Sequence, residues 1–78
     1  MFTVSSVEEY IDGTPAAAGI FIKDTRDEAV SEFHYKMWAG MNAANVKAIV
    51  ATVQDELGNV LQGERWVRAG QVVDGGAE

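Results

Sequence analysis

Few side chains in this sequence could carry out chemistry. His34 is the only histidine, and the chain has no cysteine. A zinc site needs further ligands, and a nucleophilic catalytic centre needs a nucleophile held beside a base. A single histidine argues against both, so we expect His34 to be a packed, hydrogen-bonded residue at the edge of a helix core stripe.

The acidic and glycine pairs are equally weak signals. Glu8-Glu9 falls in a predicted strand, where neighbours point to opposite faces, and Asp55-Glu56 falls in a predicted turn. Neither resembles the facing carboxylates of general acid–base catalysis. Gly75-Gly76 lacks the strand–loop–helix context of phosphate binding. We expect no enzyme, with no catalytic residue, cofactor or metal.

Length and charge restrict the remaining classes. A chain of 78 residues makes one small domain, which without disulfides depends on packing or oligomerisation for its stability. No signal peptide is visible and no apolar run approaches the ~20 residues of a membrane span, so we expect a cytoplasmic protein that does not bind membranes. The net charge of −6 and six scattered basic residues argue against direct nucleic-acid binding.

One amphipathic helix organises the chain. It is predicted over Asp24–Met41, with Thr25 and Glu28 as a capping box, and it ends between Met41 and Ala44. The predicted apolar stripe consists of Val30, Phe33, Met37, Met41 and Ala44. Tyr35, Trp38 and Asn42 fall off this stripe. They either contact a partner protein or are partly buried against loops.

The segment before the helix predicts a hairpin. Strands are expected from Phe2 to Tyr10 and from Ala18 to Lys23, joined by a turn at Asp12-Gly13. A two-residue loop there places Val4 opposite Phe21 and Ser5 opposite Ile20; which pair faces the helix is left open. Ile20, Phe21 and Ile22 are consecutive, so this strand buries both faces or contacts a partner on one.

A second hairpin follows the helix. Strands are predicted over residues 46–54 and 59–68, around a type I turn at residues 55–58 that closes with a glycine bulge. The predicted helix-facing pairs are Val53–Leu61, Ala51–Gly63, Ile49–Arg65 and Lys47–Val67. The predicted pairs on the opposite surface are Gln54–Val60, Thr52–Gln62, Val50–Glu64 and Ala48–Trp66. The small pair Ala51–Gly63 is where we expect the helix to approach most closely.

The opposite surface is too apolar for a face left in water. Its apolar residues are Ala48, Val50, Val60 and Trp66. Antiparallel sheets usually expose a polar face, so we expect a second layer here, most simply another copy of the chain in a homodimer or higher oligomer. The alternative is an exposed sheet on which Trp66 lies along Arg68 or Arg65.

These elements predict a two-layer α+β fold of ββαββ order, with one helix packed on a four-stranded, mostly antiparallel sheet. The strand order is left open. Residues 1–68 are predicted to form the single domain. Residues 69–78, which are rich in glycine and acids, are predicted to be a flexible acidic tail.

A resemblance adds a biological setting. The segments DEAVSEFHYKMWAGMNAANVKAI, DELGNV and ERWVR resemble short uncharacterised proteins of Firmicutes prophages and related mobile elements. The resemblance covers a little over half the chain and carries over no functional residue. It implies a small acidic protein that acts by binding, for instance by blocking a host component or sequestering a ligand.

Three functions follow as hypotheses. The favoured one is a self-associating, non-enzymatic binding module that blocks a host or phage protein, through Tyr35, Trp38 and Asn42 or through the Trp66 face. The second is an oligomer that sequesters a small anionic ligand between subunits, and the third is an acidic nucleic-acid mimic that inhibits its target. Arginines converging at a subunit boundary would favour the second, and a contiguous carboxylate face would favour the third.

Overall fold

One helix lies against one face of a four-stranded sheet in the computed structural model, which describes residues 1–70. The elements in chain order are β1 (Phe2–Tyr10), β2 (Ala17–Lys23), α1 (Arg26–Asn42), β3 (Val46–Asp55) and β4 (Val60–Val67). The predicted ββαββ fold class is confirmed, and the predicted strand boundaries agree to within one residue. From residue 71 onward, the predicted tail lies outside the described residues. Within the described part of the chain, no helix is long and apolar enough to cross a membrane.

The sheet has the order β2-β1-β3-β4, and all three pairings are antiparallel. Consequently β2 and β3 run in the same direction with β1 between them, and α1 makes the connection across the sheet. The sheet residues of the buried core cluster all lie in the central strands, and they are Val4, Val46, Ile49, Ala51 and Val53. The helix packs mainly on β1 and β3, and β2 and β4 form the two edges of the sheet.

The helix begins at Arg26, two residues after the predicted start at Asp24, and the predicted capping residue Thr25 is confirmed. Thr25 is the N-cap, and its hydroxyl oxygen accepts a hydrogen bond from the backbone N–H of Glu28 at 3.2 Å. Asp27 and Glu28 place negative charge in the first turn, where the helix dipole favours it. The last helical residue, Asn42, lies inside the predicted interval for the helix end.

The predicted core stripe is only partly right. Phe33 and Met37 are buried, as expected, but the other buried helix positions are Ala29 and Gly40. Val30 is only half-buried, and Met41 and Ala44 are exposed, Ala44 lying beyond the helix end. The buried stripe is therefore rotated toward the two small residues, because they allow the helix axis to approach the sheet.

The helix lies close to the sheet at Gly40. A Cβ atom at this position would lie 2.7 Å from Cδ1 of Ile49 and 3.0 Å from its Cγ2. The sequence predicts the close approach at Ala51 and Gly63 instead. Ala51 is indeed buried under the helix, but Gly63 lies on the opposite face of the sheet, across from Thr52.

The helix C-terminus is closed by a distant residue. The last turn contains no basic side chain. Instead, Arg68 donates from Nη2 to the carbonyl of Ala43 at 2.7 Å and from Nε to the carbonyl of Val46 at 2.9 Å. Its guanidinium carbon lies 4.9 Å from the ring centroid of Trp66. Arg68 therefore supplies the positive charge that a helix C-terminus favours.

The first hairpin has the predicted register but a longer connection. Val4 pairs with Phe21 and Ser5 with Ile20, and Val4 and Phe21 face the helix. The strands separate after the Glu8–Ala17 pair, so the connection is longer than the predicted two-residue loop. Its turn forms on Asp12, whose carboxylate accepts from the Thr14 hydroxyl (2.6 Å) and backbone N–H (3.0 Å). These bonds lower the pKa of Asp12.

The second hairpin begins as predicted and then departs by one residue. The Gly58 N–H donates to the Asp55 carbonyl at 3.0 Å, Gly58 has φ +86°, and Gln54 pairs with Val60. A register shift of the kind a β-bulge produces then occurs between Val53 and Gln54. Beyond it the observed pairs are Val53–Gln62, Thr52–Gly63, Ala51–Glu64, Val50–Arg65, Ile49–Trp66 and Ala48–Val67. The other predicted pairs are therefore wrong.

The register shift moves Trp66 to the helix side of the sheet. Trp66 is opposite Ile49, and both pack in the core, Trp66 as a half-buried residue at its margin. Leu61, at the shift, also packs against the core. The predicted contact of Trp66 with Arg68 is present, but it lies beside the helix C-terminus and not on the exposed surface.

Candidate interaction surfaces

The sheet face away from the helix carries exposed apolar side chains that no layer formed by residues 1–70 covers. We call it the open face. Strand alternation and the observed pairings assign its members as Thr3, Ser5, Val7, Glu9, Ala18, Ile20, Ile22, Ala48, Val50, Thr52, Gln54, Val60, Gly63, Arg65 and Val67. Only Glu9 and Arg65 among them are charged. Ile20 is 71% exposed and Ile22 is 63% exposed, while Val60, Val7 and Val50 are also exposed.

The four sheet residues predicted as a protein interface do not share one face. Val50 and Val60 are exposed on the open face, and Ala48 lies on the same face but is buried by its neighbours. Trp66 lies on the opposite face, because the register shift between Val53 and Gln54 pairs it with Ile49. The geometry thus brings three of the four together and separates the fourth.

Sequence reasoning missed Val7, Ile20 and Ile22 as members of this surface. A signal for two of them was present, because Ile20-Phe21-Ile22 is a run of three large apolar residues in a strand. Since Phe21 faces the helix, Ile20 and Ile22 must face away from it. The run therefore supplies one residue to the core and two to the open face.

A second exposed surface lies on the outer side of α1. Tyr35 is 57% exposed and Trp38 is 62% exposed, with ring centroids 6.3 Å apart. Asn42 is also exposed, and its Nδ2 donates to the Trp38 carbonyl at 2.8 Å. The expectation that these three residues lie off the core stripe is confirmed; whether they contact a partner stays a prediction.

The charged residues beside this aromatic pair form a mixed cluster. An open pocket of about 540 Å³ is lined by Lys23, Asp27, Glu28, Ser31, Glu32 and Tyr35. The Glu32 carboxylate lies 3.6 Å from Lys23 Nζ in this lining and 3.8 Å from Nζ of Lys36, which lies outside it. Lysines therefore interrupt the carboxylates here, unlike the continuous acidic face that a nucleic-acid mimic would present.

His34 differs from expectation. It is exposed, and its ring meets the buried ring of Phe33 edge-on with centroids 5.2 Å apart. It is therefore not the packed core-edge residue that the sequence suggested. Within residues 1–70 there is no cluster of three or more histidine, cysteine or acidic side chains that could hold a metal ion.

Comparison of the chain with protein-family models, with curated proteins and with solved structures gave no match.

Proposed function

We propose that this chain is a non-enzymatic binding module that self-associates through the open face and acts by binding, and so blocking, a host or phage protein. The observation that carries the proposal is the open face itself. Five of its large aliphatic side chains, Val7, Ile20, Ile22, Val50 and Val60, are at least 38% exposed. These side chains occur on all four strands of one face, and large exposed apolar patches mark interaction sites, whereas single exposed apolar residues do not.

The chemistry of the open face favours a second copy of the same chain. The face is poor in charge, so it can pack against an identical face across a two-fold axis without burying many unpaired ions. Two such faces pack with their sheets about 10 Å apart, as in a β-sandwich. The open face would then become the second core that a chain of this size needs.

The size of the face sets the expected affinity. Four strands spaced ~4.8 Å apart and ~7 residues long give a footprint on the order of 400 Å² per copy. A standard stable interface buries about 800 Å² per partner. We therefore expect a dimer that dissociates in the micromolar range and assembles more fully as concentration rises.

The outer surface of α1 is the proposed contact for the blocked protein. Tyr35 and Trp38 present aromatic area at the side of the molecule opposite the open face, so self-association leaves them accessible. Aromatic residues of this kind dominate the binding energy of many protein interfaces. The prophage and mobile-element resemblance supports a host or phage protein as the target.

The self-association is tested with one pair of matched variants. Val50→Glu places a charge in the middle of the open face, and Tyr35→Glu places the same charge on the outer surface of α1. Light scattering or sedimentation from about 10 to 500 μM should show assembly of the wild type and of Tyr35→Glu, with Val50→Glu remaining monomeric. A wild type that is monomeric at about 100 μM would remove the self-association from the proposal.

A third variant checks the assignment of faces. Trp66→Glu places a charge on the helix side of the sheet, against the core and beside Arg68. We expect it to lower the thermal midpoint clearly, whereas Val50→Glu should change the midpoint of the monomer little. If Trp66→Glu abolished assembly without lowering stability, Trp66 would belong to the contact surface after all.

A further inference from the structure

The two edge strands of the sheet differ in how they are protected against pairing. Residues 17–22 of β2 contain no charge and no proline, and the pairing of β2 with β1 continues in one register from Phe2–Lys23 to Glu8–Ala17. Natural edge strands are usually blocked by charges, prolines, bulges or a covering segment. Among residues 1–70, β1 is the only strand that pairs with β2. Alternate backbone groups of β2 therefore point away from the sheet.

The other edge carries the protective features that β2 lacks. The pairing of β4 with β3 is interrupted by the register shift between Val53 and Gln54. Glu64 and Arg65 then place opposite charges in the middle of the strand. Such features disfavour addition of another strand. The available pairing edge of the sheet is therefore β2.

A cleft lies beside the β2 edge and gives a bound strand something to pack on. It has a volume of about 220 Å³ and runs between β2 and α1, with Gly19, Phe21, Tyr35, Lys36 and Ala39 in its lining. Ala17, Ala18 and Gly19 carry little or no side chain, which leaves the backbone of this half of the strand accessible. On the other side of the strand, Ile20 and Ile22 are the most exposed aliphatic residues of the open face.

The charges at the two ends of β2 indicate what kind of strand would bind. At one end Glu8 lies opposite Ala17 in the neighbouring strand. At the other end the chain continues directly into the helix N-terminus, where four acids face three bases and leave a net charge of −1. These residues are Asp24, Asp27, Glu28 and Glu32 against Lys23, Arg26 and Lys36, the last of which pairs with Glu32. Both ends are therefore negative overall, while the middle of β2 is apolar.

We propose that the β2 edge binds an extended segment of another protein as a fifth strand, and that this segment is apolar in its middle and basic at its ends. Its backbone would pair with β2, and its alternate side chains would enter the cleft beside Phe21 and lie against Ile20 and Ile22. This is strand addition at a sheet edge. The inference rests on the proposed binding function but not on self-association, since it concerns the edge of the sheet and not its open face.

The test uses synthetic peptides of seven residues, the length of β2. The first alternates valine and threonine and has a lysine at each end, the second has glutamate at each end, and the third has a central proline. Backbone amide resonances of the full chain report where each peptide binds. The lysine-ended peptide should shift the amides of β2 saturably, bind at least about tenfold more tightly than the glutamate-ended one, and lose binding when proline interrupts it.

Two matched variants locate the binding site. Ile20→Lys on β2 and Val60→Lys on β4 add the same charge to similarly exposed open-face positions on opposite edges. Ile20→Lys should weaken binding of the lysine-ended peptide about tenfold or more, and Val60→Lys should leave it within about twofold. Amide spectra of both variants first establish that they are folded.

Several results would overturn this proposal. Shifts centred on β4 or on the outer helix, equal binding of lysine-ended and glutamate-ended peptides, or no saturable shift would each do so. Shifts of β2 amides that depend on protein concentration without any peptide would identify a second copy as the occupant of this edge. A monomeric wild type with intact peptide binding would instead contradict only the self-association.

Discussion

The two faces of this sheet are built from similar residues but differ in how far their side chains are exposed to solvent. On the helix side, Val4, Ile49 and Val53 are at most 1% exposed. On the open face, Val7 and Val50 of the same central strands are 38% exposed, and Ile20 and Ile22 of the edge strand β2 are more than 60% exposed. The difference is the covering helix and not the hydrophobicity of the strands. A sheet can therefore carry two core-like faces while the described residues 1–70 provide a layer for only one of them.

The polar residues of the open face do not make it an ordinary solvated surface. Ser5 and Thr52 lie opposite each other in the central strands, and their hydroxyl oxygens are 2.7 Å apart, within hydrogen-bond distance. Two hydroxyls that bond each other have less need of water, so burying them costs less than burying free hydroxyls. The centre of the open face is thus suited to a contact that excludes solvent.

The largest expected difference in stability is between truncation of the buried Phe33 and truncation of the exposed Trp38. Phe33 is fully buried against the sheet, and Trp38 is 62% exposed on the same helix. Phe33→Ala should cost about 3–5 kcal/mol and nearly unfold a domain of this size. Trp38→Ala should cost less than about 1 kcal/mol. Thermal and urea denaturation measure both, and comparable losses would mean that the two sides of the helix are not distinct.

A smaller effect is expected from two glycines, one under the helix and one on the open face. Gly40→Val forces a branched side chain against Ile49 and should cost about 1–3 kcal/mol. The matched change Gly63→Val meets Thr52 only at 3.4 Å, an ordinary contact, and places a strand-favouring residue in a strand. We expect it to be neutral or slightly stabilising. A Gly63→Val variant as unstable as Gly40→Val would contradict the observed register of β4.

The smallest expected effect on stability concerns the turn at residues 55–58, which joins β3 to β4. The Asp55 carboxylate accepts from the Asn59 side-chain amide at 3.0 Å and from the backbone N–H groups of Asn59 and Leu57, each at 2.9 Å. The bonds from Asn59, followed by those from the turn backbone, lower the pKa of Asp55. The ionised carboxylate therefore stabilises the folded state above about pH 4, and this contribution is lost as the pH falls through the lowered pKa.

The corresponding variant is Asp55→Asn. It should be less stable than the wild type at pH 7, and the difference should shrink in denaturation curves measured below about pH 4. Glu56→Gln is the control, since it removes the neighbouring charge and leaves these bonds in place. A difference for Asp55→Asn that is constant from pH 7 to pH 3 would show that the charge of Asp55 does not hold the turn.

The features that the sequence predicted well depend on local signals. Thr25 followed by Glu28 marks the helix start, Asp55 and Gly58 mark the turn, and strand boundaries follow the change from alternating to glycine-rich or polar sequence. The register of β1 with β2 was also correct, although the loop was not the one assumed. In each case a few neighbouring residues contain the information.

The features that were missed depend on contacts between distant residues. The register shift near Val53 has no marker, because Leu61 is an ordinary strand residue, and that one shift transferred Trp66 to the other face. The sequence suggests only that Gly40 weakens the helix, whereas in the structure Gly40 is where the helix packs closely against Ile49 of the sheet. The strand order β2-β1-β3-β4 likewise depends on how the helix crosses the sheet, which no local pattern specifies.

The closure of the helix C-terminus by Arg68 has a consequence for the order in which the chain acquires structure. Ala43 and Val46 offer carbonyl groups that receive their charged donor only from the end of the last strand. A chain emerging from the ribosome exposes those carbonyls until residue 68 has been synthesised. Together with a central pairing of β1 with β3, which joins residues 36 to 53 positions apart, this makes folding a late and non-local event. Truncation just before Arg68 is therefore expected to impair both the helix and the sheet, since one guanidinium group joins them.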